Sequence, residues 1–257
     1  MTEANSPATG DPTEQELAAL VAEGCRILGK LDLTRFSLGH VSYRLDDHTM
    51  LIKGKGPNEV GLRYTEPEDI VKVDFDGNLL AGAEGLNAPS ESFIHIWIYK
   101  TNPDVRSVVH VHPESAVLLT ICGKEIRPIY ASYGMGSRIA IEGVPVYQRG
   151  IRIDSDELGR ELAEFMGGRK CVLMKGHGVS VAGDSIEDSV VRTVTLNELT
   201  TMTYKAYLLG DPQEISAEEI EQYSTPYALD RKRGSAGGRA GLLAEYRYWR
   251  RLALEGR

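Results

Sequence analysis

Short runs of aliphatic residues, each the length of one sheet strand, alternate in this chain with longer segments whose apolar positions recur every three or four residues. That alternation restricts the fold to packed layers of sheet and helix. Strand-like runs stand at Val41 to Leu45, Met50 to Ile52, Ile70 to Val73, Val105 to Val111 and Cys171 to Met174, with turn signals such as Asp46-Asp47 and Asp76-Gly77-Asn78 beside the first three. Helical periodicity starts at Glu14 and runs through Leu17, Leu20, Val21, Ile27, Leu28 and Leu31. Further helices are expected at Ser90 to Lys100, at Glu114 to Cys122, and at Ser185 to Leu209, which Gly210-Asp211-Pro212 stops. Several strands follow one another through turns, so the expected fold is α/β, with a central mixed, mainly antiparallel sheet flanked by helices.

The 257 residues suit one large core, with no internal repeat and no linker in mid-chain. Residues 1–13 are rich in Pro, Gly, Thr and Ser and are expected to be disordered, 14–212 form the folded domain, and 213–257 form a basic helical tail packing on that domain or on a neighbouring subunit. Within that tail, Arg231 to Arg257 carries eight Lys/Arg against two Glu, which sets a local +6 against −14 on the rest of a chain of net charge −8. The tail reads either as a solvated segment docking on acidic surface of its own oligomer or as an anion contact. The negative total argues against general binding of nucleic acid through phosphates. No segment approaches the roughly 20 apolar residues of a membrane span, and Met1 to Glu16 has four acids and no Lys or Arg, so no secretory signal and no membrane are expected and the compartment is expected to be cytoplasmic. Cys25, Cys122 and Cys171 are far apart and outside any C-x-x-C arrangement, which suggests neither a disulfide framework nor a thiolate zinc site.

Val108-Val109-His110-Val111-His112-Pro113 is the most informative stretch. Residues i and i+2 of a strand share a face, roughly 6 to 7 Å apart, so His110 and His112 can reach one metal ion. A third imidazole is offered by Gly176-His177-Gly178, where flanking glycines free the backbone for a tight turn. Three neutral imidazoles with an open fourth position make a catalytic divalent-metal site; the competing reading is a set of satisfied core histidines. Glu91, in Pro89-Ser90-Glu91-Ser92, is either a helix-start carboxylate favoured by the dipole or a general acid/base beside the metal. His95, four residues on, is its partner on the same helical face or a plain packed histidine, and His48 reads as a turn residue. Gly54-Lys55-Gly56 and Gly134-Met135-Gly136 lack the third glycine and the setting of a dinucleotide fingerprint, and there is no nucleophile elbow.

Taken in order, Glu91, His110-Val111-His112-Pro113 and Lys175-Gly176-His177-Gly178 followed by the long helix resemble the class II aldolase/adducin family, over about Leu17 to Gly210. The resemblance implies a three-layer α/β/α fold, a C4 homotetramer with active sites between subunits, and one divalent metal per subunit held by His110, His112 and His177. It also implies that Glu91 is the catalytic acid/base and ligates the metal when no substrate is bound. Zinc is the favoured metal, with iron, manganese or cobalt as alternatives. The family's phosphosugar enzymes hold phosphate with a Gly-Asn pair, a Ser-Gly turn and a Ser-Ser pair, where this chain has Gly39-His40, Lys55-Gly56 and Pro89-Ser90. Three small donors are replaced by groups better matched to a planar carboxylate, with His40, Lys55 and Ser90 as the substrate contacts. In this the chain resembles the family's decarboxylases of ring-cleavage and phthalate catabolism. The expected function is therefore a metal-dependent decarboxylase of a small hydroxylated aromatic or enol carboxylate. The alternatives are an aldolase or epimerase on a sugar phosphate, an iron-dependent oxygenase on a hydroxyaromatic acid, and a non-enzymatic adducin-like interaction protein.

Overall fold

The computed structural model describes residues 12–131, 133–221 and 238–255. Residues 1–11 of the segment expected to be disordered, and 222–237 of the basic tail, lie outside the described residues. Thr13 opens the first helix, α1 (Glu14–Lys30), with a capping box: its hydroxyl accepts from the Glu16 N–H, and the Glu16 carboxylate accepts from the Thr13 N–H. Four strands then meander antiparallel, β1 (His40–Arg44), β2 (Thr49–Lys53), β3 (Ile70–Asp74) and β4 (Leu79–Ala81). The Asp46 carboxylate closes the first turn by accepting from the His48 and Thr49 N–H groups. After α2 (Ser92–Thr101) the chain enters β5 (Ser107–Val111), then α3 (Glu114–Ile121), α4 (Gly136–Glu142), β6 (Val146–Tyr147) and α5 (Asp156–Met166). The hairpin of β7 (Cys171–Met174) and β8 (Gly178–Gly183) leads into α6 (Ile186–Leu209), and α7 (Arg239–Arg250) follows near the C-terminus.

The eight strands lie in the order β4-β3-β2-β1-β5-β8-β7-β6. Every described pairing is antiparallel except β6 with β7, so the sheet is mixed and mainly antiparallel, as the turn signals imply. Alternation along the strands splits the core in two. Val109, Val111, Val179 and Val181 face a layer containing α1 and α6, whereas Val108, Met50, Ile52 and Ala182 face α2 and α5. Each fully buried aliphatic side chain of this kind contributes about 1.5–3 kcal/mol, and the two sets together clamp the sheet between helices. α7 packs on α6, and it is tied to α1 by Tyr246 Oη and Arg250 Nε, which donate to the Glu23 carboxylate at 2.9 and 2.8 Å. No helix among the described residues is long and apolar enough to cross a membrane. Cys25 and Cys171 are buried and Cys122 is exposed, all three as free thiols.

Candidate active site

The period-2 rule decides where β5 sends its histidine. Val109 and Val111 face α1 and α6, so His110 between them faces α2. β5 is hydrogen-bonded on both sides, to β1 and to β8, and all five of its residues are buried. His112 stands one residue beyond the strand, where its N–H donates to Leu33 O at 3.1 Å, and its Nε2 lies 2.9 Å from His110 Nε2. His177 stands in the turn between β7 and β8. Gly176 supplies the left-handed residue of that turn, at φ +62°. Gly178 has a different duty. A Cβ there would stand 2.4 Å from both His112 Cδ2 and Val111 O, so the absence of a side chain is what lets the His112 ring lie against the hairpin. Gly178→Ala is expected to displace that ring and weaken metal affinity by about 10–100-fold, measured by competition with a chromophoric chelator.

Glu91 completes the cluster. It precedes α2 as the N-cap residue, but its side chain makes no capping bond; Oε1 accepts from the Ile153 N–H at 3.0 Å instead. The carboxylate thereby reaches the imidazoles, with Oε1 3.4 Å from His177 Nε2 and Oε2 3.8 Å from His110 Nε2. One ligand atom from each of Glu91, His110, His112 and His177 lies within 4.8 Å of the other three. Burial opposes ionisation of Glu91, but the hydrogen bond and charge of His177, together with the Ile153 N–H, bring its pKa down to about 2. Burial, reinforced by the surrounding imidazoles, pushes His110 well below the usual histidine range and takes His112 to about 4. The site therefore holds an ionised carboxylate beside neutral His110 and His112 rings at neutral pH.

The residues fit a divalent metal. His110 Nδ1 meets Ser180 Oγ at 3.1 Å, and that hydroxyl donates to Met174 Sδ. Ser180 therefore accepts from His110 Nδ1–H, which leaves the Nε2 lone pair aimed at the cluster. Three imidazole nitrogens and one carboxylate oxygen are the donor set of a transition-metal ion such as zinc.

A small cleft opens beside the cluster, and its walls include Glu91 with the three expected substrate contacts, His40, Lys55 and Ser90. Lys55 is exposed, and its backbone is bridged to Asn87 by hydrogen bonds of 2.9 and 2.8 Å, which ties the end of β2 to the loop before α2. Sequence reasoning missed Lys53 and Glu59, a buried ion pair on the same wall. The available signal was a lysine directly following the apolar run Met50 to Ile52. His95 departs from its expected place. Helix α2 begins at Ser92 rather than Ser90, so Glu91 is not on the helical face that carries His95. His95 Nε2 meets His40 Nδ1 at 2.8 Å, and its Nδ1 meets Ser42 Oγ at 2.6 Å. Tyr99 Oη continues the line, 2.7 Å from Ser42 Oγ. His48 is exposed in its turn and takes no part.

Residues 19–204 match the Class II Aldolase and Adducin N-terminal domain family. A 3,4-dihydroxyphthalate decarboxylase of Rhodococcus jostii (strain RHA1) is 38% identical over 195 residues, covering 74% of this chain and 80% of the relative. A 5-methylthioribulose-1-phosphate/5-deoxyribulose-1-phosphate aldolase of Rhodospirillum rubrum is 27% identical over 203 residues, covering 78% and 86%. Among solved structures, an L-fuculose 1-phosphate aldolase from Glaciozyma antarctica PI12 superposes with a TM-score of 0.75 at 19% identity, covering 97% of this chain and 94% of that one, a likeness of fold.

Proposed function

The chain belongs to the class II aldolase and adducin family, and from that premise we propose that it is a metal-dependent carboxy-lyase that removes carbon dioxide from a hydroxylated aromatic carboxylate such as 3,4-dihydroxyphthalate. The observation that carries this reading is the juxtaposition of the Glu91, His110, His112 and His177 cluster with a cleft walled by His40, Lys55 and Ser90. The three imidazoles and, before substrate binds, Glu91 would hold one divalent ion, with zinc as the proposed metal. Bound there, the ion supplies Lewis acidity toward the negative charge that develops on substrate oxygen.

The protein's own groups do the rest. Lys55 pairs with a substrate carboxylate as a point charge, and Ser90 donates to an oxygen beside it. Glu91, ionised at rest, takes the proton of a substrate hydroxyl and delivers it to the ring carbon that bears the departing carboxylate. That carbon then resembles the α-carbon of a β-keto acid. The bond to the carboxylate breaks, carbon dioxide leaves, and its electron pair returns through the ring to the hydroxyl oxygen.

Aldol cleavage of a sugar phosphate is the second reading, favoured by the likeness to the Rhodospirillum aldolase. Against it stand Gly39-His40, Lys55-Gly56 and Pro89-Ser90, which offer fewer small donors to a phosphate. The reading also carries a cytoplasmic homotetramer in aromatic-compound catabolism, on the strength of the family likeness. The test is incubation of metal-loaded protein with dihydroxyphthalates, hydroxymuconate-type acids and sugar phosphates while carbon dioxide is monitored. Release from a dihydroxyphthalate is expected; efficient cleavage of sugar phosphates with no carbon dioxide from any hydroxycarboxylate overturns the reading. Lys55→Ala is expected to raise KM for the aromatic substrate about tenfold, the value of one charge-assisted contact, as read from steady-state kinetics.

A further inference from the structure

Four side chains on β1 and α2 form a line of hydrogen bonds that ends on the cleft: Tyr99 Oη to Ser42 Oγ at 2.7 Å, Ser42 Oγ to His95 Nδ1 at 2.6 Å, and His95 Nε2 to His40 Nδ1 at 2.8 Å. Tyr99, Ser42 and His95 are fully buried, and only His40 lines the cleft. Such a line has two polarities, and they leave His40 with opposite chemistry. If each proton points toward His40, then Tyr99 donates to Ser42, Ser42 to His95 Nδ1, and His95 Nε2–H to His40 Nδ1, so His40 carries its remaining proton on Nε2. If protons point the other way, His40 Nε2 is a bare acceptor.

The count of buried donors decides between them. In the reverse arrangement His95 donates to Ser42 and Ser42 to Tyr99 Oη, and the buried phenol proton is left without an acceptor among the described residues; if Tyr99 and His95 instead both donate to Ser42, the serine proton has only Val108 O, at 3.5 Å. A buried donor so poorly met costs about 1–3 kcal/mol, whereas the forward arrangement satisfies every donor in the line.

We propose that Tyr99, Ser42 and His95 are positioning residues that hold His40 as its Nε2–H tautomer, making His40 a neutral hydrogen-bond donor to an anionic oxygen of the substrate. Among the described residues no hydrogen-bond acceptor meets His40 Nε2, so that donor is left for the occupant of the cleft. The identity of that occupant as a carboxylate rests on the proposed decarboxylase function; the polarity of the line does not. The arrangement supplies direction without a further cation. Lys55 already brings positive charge to this wall, and a donor that cannot accept rejects ligands presenting an N–H or O–H there.

Solid-state ¹⁵N spectra of the zinc-loaded full chain test this directly, because the chain has only six histidines and His40 is assigned by the signal lost in His40→Gln. The expected result in wild-type protein is a bare Nδ1 and a protonated Nε2 on both His40 and His95. A protonated Nδ1 on His40 overturns the proposal without need of any further variant. Ser42→Ala is expected to give mixed tautomers at His40 and to raise KM for 3,4-dihydroxyphthalate by up to about tenfold, the value of one hydrogen bond, with kcat little changed. An unmixed Nε2–H tautomer in Ser42→Ala overturns the role of the line, since a merely structural serine would leave the tautomer alone. Added phthalate, an unreactive dicarboxylate, is expected to shift the His40 Nε2 signal. A shift with inorganic phosphate but not with phthalate supports the donor and overturns the decarboxylase reading, and a signal indifferent to both overturns the donor.

Discussion

Alanine in place of His110, His112 or His177 is expected to strip most of the bound metal and to lower turnover by about a thousandfold or more, while the protein stays folded. The magnitude follows from what the ion supplies: several kcal/mol of charge stabilisation on substrate oxygen, at tenfold in rate per roughly 1.4 kcal/mol. Each histidine contributes one of four converging ligand atoms, and two Nε2 atoms are only 2.9 Å apart, so no neighbour can substitute for a missing ring. The variants differ in their cost to the fold. His110 is fully buried with its Nδ1 on Ser180, whereas His112 and His177 are half-buried, so His110→Ala should also lower the melting temperature most. Elemental analysis with circular dichroism on the same samples separates loss of metal from loss of fold. Full metal content in any two of the three variants would sink the assignment.

Glu91→Gln is expected to retain the metal and to reduce turnover by about two orders of magnitude or more, the usual worth of a general acid/base. The amide keeps the shape of the carboxylate, and its oxygen can still accept from the Ile153 N–H that holds the side chain over the histidines. What it lacks is the capacity to carry a proton. Single-turnover kinetics on the metal-loaded variant isolate the chemical step, and wild-type turnover there would reduce Glu91 to a positioning charge.

The clustering of His110, His112 and His177 was legible in the chain because its signals are local: His110 and His112 close together at the end of a strand, and His177 between two glycines. The sheet was legible only in part. β8 escaped because its one alternation, Val179-Ser180-Val181, is too short to stand out between the flanking glycines, although all six residues are buried. β4 escaped for the opposite reason, since all three of its residues are exposed and carry no burial pattern. α5 did have readable ends, with Ser155 accepting from the Leu158 N–H and Gly167 in the left-handed region at φ +60°. His95 was misplaced by a single feature, the start of α2 at Ser92, which takes Glu91 off the helical face. Lys53 and Glu59 were missed because a lysine on a strand is ordinarily at its solvated end, and only tertiary structure shows this one buried against a carboxylate.

The two halves of the site come from different parts of the sheet. The clustered imidazoles stand at the end of β5 and in the β7–β8 turn, whereas His40, Lys53 and Lys55 come from β1 and from the end of β2. On the proposed reading, changing what the cleft recognises need not disturb the imidazole cluster. Two side chains of the cleft wall are nevertheless committed to buried companions, His40 to His95 and Lys53 to Glu59. A lone exchange at either position strands a polar group in the core, so new specificities on this backbone should be reached by paired substitutions whose effects are far from additive.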